Sequence, residues 1–103
     1  MVNNIEEILS VDGLDGLLFG TSDLSQSLGY PGQANHPEVK AAIEKARQAC
    51  LKNGKPFGSV VRAGEVPEDY YSLGYLSVMT SIPALLSKSA RELVQLSNKQ
   101  IQT

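Results

Sequence analysis

The segment Gly20-Thr21-Ser22-Asp23-Leu24-Ser25 is where this sequence best provides for chemistry. It follows directly on three consecutive apolar residues, Leu17-Leu18-Phe19, a run that suits a strand covered on both faces, as in a parallel sheet. In parallel α/β folds the active groups lie beyond the carboxyl ends of the strands. Asp23 sits a few residues past such an end, after a glycine that permits close backbone approach. A short helix opening at Ser22 or Asp23 would present the N–H groups of Ser22, Asp23 and Leu24 to an anion such as a carboxylate. Asp23 could then hold Mg2+ or Mn2+ through oxygen while the metal binds the same small acid. A plainer reading uses the same residues: an Asp and a Ser capping one turn of helix beneath a tight turn. Spacing alone favours the plainer one.

Other reactive residue types offer less. His36 stands before Pro37 at a helix start, and no second histidine exists to complete a metal site. Cys50 is the single cysteine, so no internal disulfide and no Cys/His zinc site can form, and its place on an apolar helix stripe predicts an inert buried thiol. Glu6-Glu7 and Glu68-Asp69 are adjacent carboxylates whose side chains diverge on a helix, so neither pair clamps one ion. Tyr70 and Tyr71 are expected to lay their rings on an outer helix with the hydroxyls in water.

The elements that position these residues can be read from punctuation. Asn3 or Asn4 can cap a short helix through Leu9, and Asp12 to Gly16 supplies a glycine-rich entry to the first strand. After the short helix at Asp23, which should end at Gly29, the Tyr30-Pro31-Gly32 loop leads to the clearest helix of the chain. Asn35 or His36 caps it, Pro37 takes its first position, Gly54 follows its end, and Val39, Ala42, Ile43, Ala46 and Cys50 form its apolar stripe. A second strand is expected over 57–61, a short helix over 65–73 with Pro67 near its start, and a third strand over 75–79. From Ile82 the spacing of Leu85, Leu86, Leu93, Val94, Leu96 and Ile101 predicts a long amphipathic helix, which either covers its own sheet or meets another molecule.

Strands alternating with helices imply parallel βα units, but three strands are too few for a closed barrel, which runs to about 250 residues. The 103 residues therefore read as a single partial barrel domain spanning the whole chain, with sheet edges and helix faces that need partners. Nine Lys plus Arg against eleven Asp plus Glu give a net charge of −2, which argues against nucleic acid or an anionic membrane as partner. No apolar run approaches the roughly 20 residues needed to span a bilayer. The start lacks a basic n-region followed by an apolar stretch, so a cytoplasmic location is expected.

Several short motifs stand in a fixed order: Asp12-Gly13-Leu14-Asp15-Gly16, the strand, Gly20 to Ser25, Leu28-Gly29, Pro31-Gly32, His36-Pro37-Glu38-Val39, Ala42-Ile43 and Gly54-Lys55-Pro56. In that order and spacing the chain resembles the C-terminal portion of the HpcH/HpaI aldolase family, of the phosphoenolpyruvate/pyruvate superfamily. The resemblance implies an α/β fold that is the C-terminal part of a (β/α)8 TIM barrel, about three βα units with a long C-terminal helix exchanged in oligomers. It implies a metal-dependent class II lyase that reversibly cleaves 4-hydroxy-2-keto acids to pyruvate, or another 2-keto acid, and an aldehyde. By its place in the motif Asp23 would be one of two carboxylate ligands to Mg2+ or Mn2+, and Gly20, Ser22 and Asp23 would bind the pyruvate carboxylate. The metal would polarise the 2-keto group and stabilise the enolate.

The second metal carboxylate, a substrate-binding Arg and a catalytic His belong to parts of the family's barrel that precede this segment. Arg47, Arg62 and Arg91 fall outside the family's Arg motif, and His36 matches only the helix start, so no catalytic residue is assigned here. Thr21-Ser22 replaces a more frequent Pro-Ala pair, and Thr80-Ser81-Ile82 stands where many members carry an Asp-containing loop. Partners expected on this reading are a second copy of the chain or the missing barrel portion. Two other readings remain open: a non-catalytic remnant or assembly module of the family, and a fragment of a citrate lyase β-like or phosphoenolpyruvate-utilising enzyme.

Overall fold

The computed structural model describes residues 2–61 and 65–101, the side chains of Val2, Gln100 and Ile101 excepted. Arg62 lies outside the described residues, as does the side chain of Ile101. A 3₁₀ turn, Val2–Asn4, leads into α1 (Ile5–Leu9), β1 (Leu17–Phe19), α2 (Thr21–Ser27) and α3 (Pro37–Lys52). Then come β2 (Phe57–Val60), α4 (Pro67–Ser72), β3 (Ser77–Met79) and α5 (Ile82–Ile101).

Local chemistry explains the boundaries. At α3 the His36 Nδ1 accepts from the Glu38 amide at 3.2 Å, and Pro37 occupies the first turn where its missing N–H costs nothing. The helix ends where Gly54 adopts φ +66°, which lets Gly54 N–H reach Leu51 O and Lys55 N–H reach Cys50 O, a Schellman closure. α2 closes in the same way through Gly29, with Tyr30 N–H donating to Ser25 O at 2.8 Å. The start of α2 departs from expectation. Gly20, not Ser22 or Asp23, takes the cap position, because its carbonyl already accepts from the Leu24 amide at 2.9 Å. Asn4 caps α1 by position only, with no side-chain hydrogen bond.

The three strands form one parallel sheet in the order β1-β2-β3, with Phe19 opposite Ser59 and Ser59 opposite Val78. α2 and α3 connect the first pair and α4 the second, so the predicted βα units are the ones observed. One sheet face carries the core. Phe19 stacks on Phe57 with ring centroids 5.6 Å apart, and Tyr75 meets Phe57 edge-on at 4.8 Å and Tyr70 at 5.2 Å. Ile5, Leu9, Ala46, Ala49 and Cys50 from α1 and α3 close over these rings.

The opposite face is open, which corrects the expectation that β1 is covered on both sides. Leu18 is 57% exposed and Met79 44%. The helices of this chain pack on one face alone, and the face bearing Leu18 is the one that barrel closure covers. α5 does not cover it either. Leu85, Leu86, Leu93, Val94 and Leu96 on α5 are each more than half exposed. The chain extends 61 × 28 × 20 Å with a radius of gyration of 17.1 Å, against about 13 Å for a compact domain of about 100 residues. No helix among the described residues is long and apolar enough to cross a membrane.

Candidate functional site

A cleft of about 290 Å³ opens at the carboxyl ends of β1 and β2, lined by Gly20, Thr21, Ser22, Asp23, Ala34 and Val60. Three elements build it. β1 delivers the chain to Gly20, the first turn of α2 carries Thr21 to Asp23, and Val60 ends β2 beside them. The loop between α2 and α3 brings Ala34 to the remaining side. One wall is therefore polar and the other apolar.

Along α2, Thr21 and Ser25 are buried, whereas Ser22 and Asp23 face solvent. The Asp23 carboxylate folds back toward the cap residue, so that a β-carbon at Gly20 would lie 3.4 Å from Oδ2. Glycine at position 20 thus leaves the carboxylate room, rather than meeting any demand of the backbone, whose φ of −88° suits any residue. The N–H groups of Thr21, Ser22 and Asp23, as first-turn donors, have no intrahelical acceptor. The structure brings together the three residues singled out from the sequence, Gly20, Ser22 and Asp23, on one cleft.

One carboxylate is what this segment offers a cation. Among the described residues no group of three or more His, Cys, Asp or Glu is placed to hold a metal ion. Asp23 fits as one ligand of a hard cation such as Mg2+, which takes one or two carboxylates along with water and substrate oxygens. The remaining protein donors would have to come from outside the segment.

The residues set aside from the sequence have structural partners. His36 caps α3 and stacks on Tyr30 with ring centroids 3.6 Å apart. Hydrogen bonding to the Glu38 carboxylate holds the Tyr30 phenol above its ordinary range. Arg47 makes a bidentate pair with Glu44 and donates from Nη1 to Leu73 O at 2.7 Å, tying α3 to the end of α4. That geometry occupies its guanidinium in the scaffold. Arg91 is exposed on α5. Burial pushes the Cys50 thiol up, consistent with an inert side chain. Glu6, Glu7, Glu68 and Asp69 are all exposed.

Tyr70 requires a correction, since its hydroxyl is not left in water. Its ring is buried in the core and its hydroxyl lies 2.8 Å from Glu65 Oε2, to which it donates. Tyr71 is the exposed one of the pair, at 52%. Sequence reasoning also missed Ala34 and Val60 as cleft residues, because both reach the site through tertiary packing. The buried Thr21 and Ser25 did carry a signal: two small hydroxyl residues four apart lie on the same face of a helix.

Comparison with known proteins agrees with this architecture. The family model described as HpcH/HpaI aldolase/citrate lyase matches residues 1–82. A hydroxypyruvate/pyruvate aldolase of Cupriavidus necator is 38% identical over 93 residues, covering 89% of this chain and 35% of that protein. A 4-hydroxy-2-oxo-heptane-1,7-dioate aldolase of Escherichia coli is 37% identical over 91 residues, covering 88% of this chain and 35% of that protein. The crystal structure of an HpcH/HpaI aldolase/citrate lyase family protein from Burkholderia cenocepacia superposes with a TM-score of 0.82 at 26% identity. It matches 94% of this chain and 38% of that one. The chain thus spans about 35% of the length of the curated relatives it matches. Three βα units, a site at the strands' carboxyl ends and a family match over residues 1–82 lead to one conclusion: the chain belongs to the HpcH/HpaI aldolase/citrate lyase family, as a part of its TIM-barrel fold.

Proposed function

We propose that this segment supplies one wall of the active site of a divalent-metal-dependent aldolase, which reversibly cleaves 4-hydroxy-2-keto acids to pyruvate, or a related 2-keto acid, and an aldehyde. The observation that carries the reading is the exposed Asp23 carboxylate at the rim of the cleft formed by Gly20, Ser22, Ala34 and Val60. In this reading Asp23 gives one carboxylate oxygen to Mg2+ or Mn2+, in a site that the rest of the barrel completes. When bound, the metal supplies Lewis-acid polarisation of the 2-keto group. The first-turn amides beside Gly20, Ser22 and Asp23 receive the keto-acid carboxylate, an arrangement favoured by their lack of intrahelical acceptors. Ala34 and Val60 exclude water from the opposite side.

The required partner is the remaining barrel portion or a second copy of the chain, since the Leu18 face and α5 are open here. The test is retro-aldol release of pyruvate from a 4-hydroxy-2-keto acid with Mg2+ or Mn2+ by this chain mixed with the remaining barrel portion of a relative, comparing the parent chain with its Asp23→Ala variant. Release by the parent and its loss in the variant is expected. Equal release by both, or none from either, removes catalysis by this chain. The same outcome favours the second reading, a non-catalytic assembly module of the family, for which the lone carboxylate and the open apolar face of α5 speak.

A further inference from the structure

α2 is seven residues long, too short for helix propensity to hold it in place. Its two site residues, Ser22 and Asp23, are exposed, so packing of their own side chains does not fix the turn that bears them. Ser25 is the fully buried residue of this helix, at 0% exposure. Its hydroxyl donates to Ser22 O at 2.8 Å, across the first turn. Its carbonyl accepts from Tyr30 N–H at 2.8 Å, across the last turn, and Tyr30 opens the loop that carries Ala34 to the far side of the cleft. The serine hydroxyl thus acts on the turn that forms the polar wall of the cleft, and its backbone carbonyl, as part of the helix closure at Gly29, anchors the segment that leads to the apolar wall.

We infer that Ser25 is a positioning residue: its hydroxyl fixes the Ser22 carbonyl and thereby the orientation in which the first turn presents Asp23 to the cleft. The consequence for ligand binding rests on the keto-acid reading above, whereas the effect on the turn does not. A buried hydroxyl bonded to a carbonyl contributes a modest net amount, and here it adds to the restraint that the buried Thr21 and the Leu24 N–H to Gly20 O bond place on the same turn.

The test uses the 103-residue chain with Ser25→Ala and Ser25→Thr, the latter because threonine in a helix keeps a hydroxyl within reach of the carbonyl one turn back. Two readouts are taken: amide hydrogen exchange of the chain, and titration with pyruvate carrying a labelled carboxylate in the presence of Mg2+ and the remaining barrel portion of a relative. Ser25→Ala should speed exchange of the Leu24 amide about fivefold relative to the amides of mid-α3, and weaken pyruvate by a similar factor. Ser25→Thr should restore both toward the parent values. Exchange at Leu24 within twofold of the parent in Ser25→Ala, or equal acceleration in both variants, overturns the proposal in favour of simple packing. Absence of pyruvate binding in all three proteins, with the exchange pattern intact, refutes the keto-acid reading and leaves the positioning role standing.

Discussion

Replacing Gly58 with alanine should force the centre of the sheet apart. Gly58 lies in β2 opposite Ser77 of β3, and a β-carbon there would sit 2.8 Å from Ser77 O and 3.2 Å from Ser77 Cβ. The obstructing oxygen is backbone, so relief requires β3 to move by several tenths of an ångström rather than a side chain to rotate. Overpacking of this kind costs about 1–3 kcal/mol. The φ of Gly58 is not in the left-handed region, so alanine also gains about 0.4–1 kcal/mol by restricting the unfolded chain. With the middle of each range, about 2 kcal/mol less about 0.7 kcal/mol, the net loss is about 1.3 kcal/mol. With a urea slope of about 1–3 kcal/mol per M for a small domain, the unfolding midpoint should fall by roughly 0.4–1.3 M. Equilibrium urea unfolding followed by far-UV circular dichroism measures this directly. An unchanged or raised midpoint would refute the claim that glycine is present to let β2 and β3 approach. The site shares the effect, because Val60 lies two residues further along the same strand and lines the cleft.

His36→Ala should lower stability by about 1 kcal/mol through loss of the α3 cap, and His36→Asn, which caps without an imidazole, should recover it in the same unfolding experiment. Glu44 is held down from its ordinary 4.5 to about 2 by hydrogen bonds from Arg47 and Gln48. A depressed folded-state value means that its contribution is complete above pH 4.5 and is lost as pH falls toward 2. Because Glu44 is 52% exposed, solvent screening limits that contribution to at most about 1 kcal/mol, and Glu44→Gln should flatten this part of the stability–pH curve. Cys50, fully buried, should react with a thiol reagent only at the rate at which the chain opens, and reaction faster than unfolding would contradict its burial.

How much of this was legible beforehand depended on whether the signal was local. The α3 cap at His36, the glycine exits of α2 and α3, and the βα order are written in the sequence, because capping and turn chemistry involve residues a few positions apart. The motif run from Asp12 to Pro56 likewise carried the family and the candidate residues Gly20, Ser22 and Asp23. The start of α2 was misplaced by a small margin, since a glycine carbonyl closing the first turn leaves no side-chain mark. Tertiary structure alone decided the rest. Val60 and Ala34 meet Asp23 only once the strands pair and the helix connection folds back, and the Tyr70 hydroxyl finds Glu65 only after its ring enters the core. Whether Leu18 and the apolar residues of α5 are covered is likewise a property of packing: a sequence declares that a surface is apolar, but only the assembled chain shows which surfaces its own elements are able to bury.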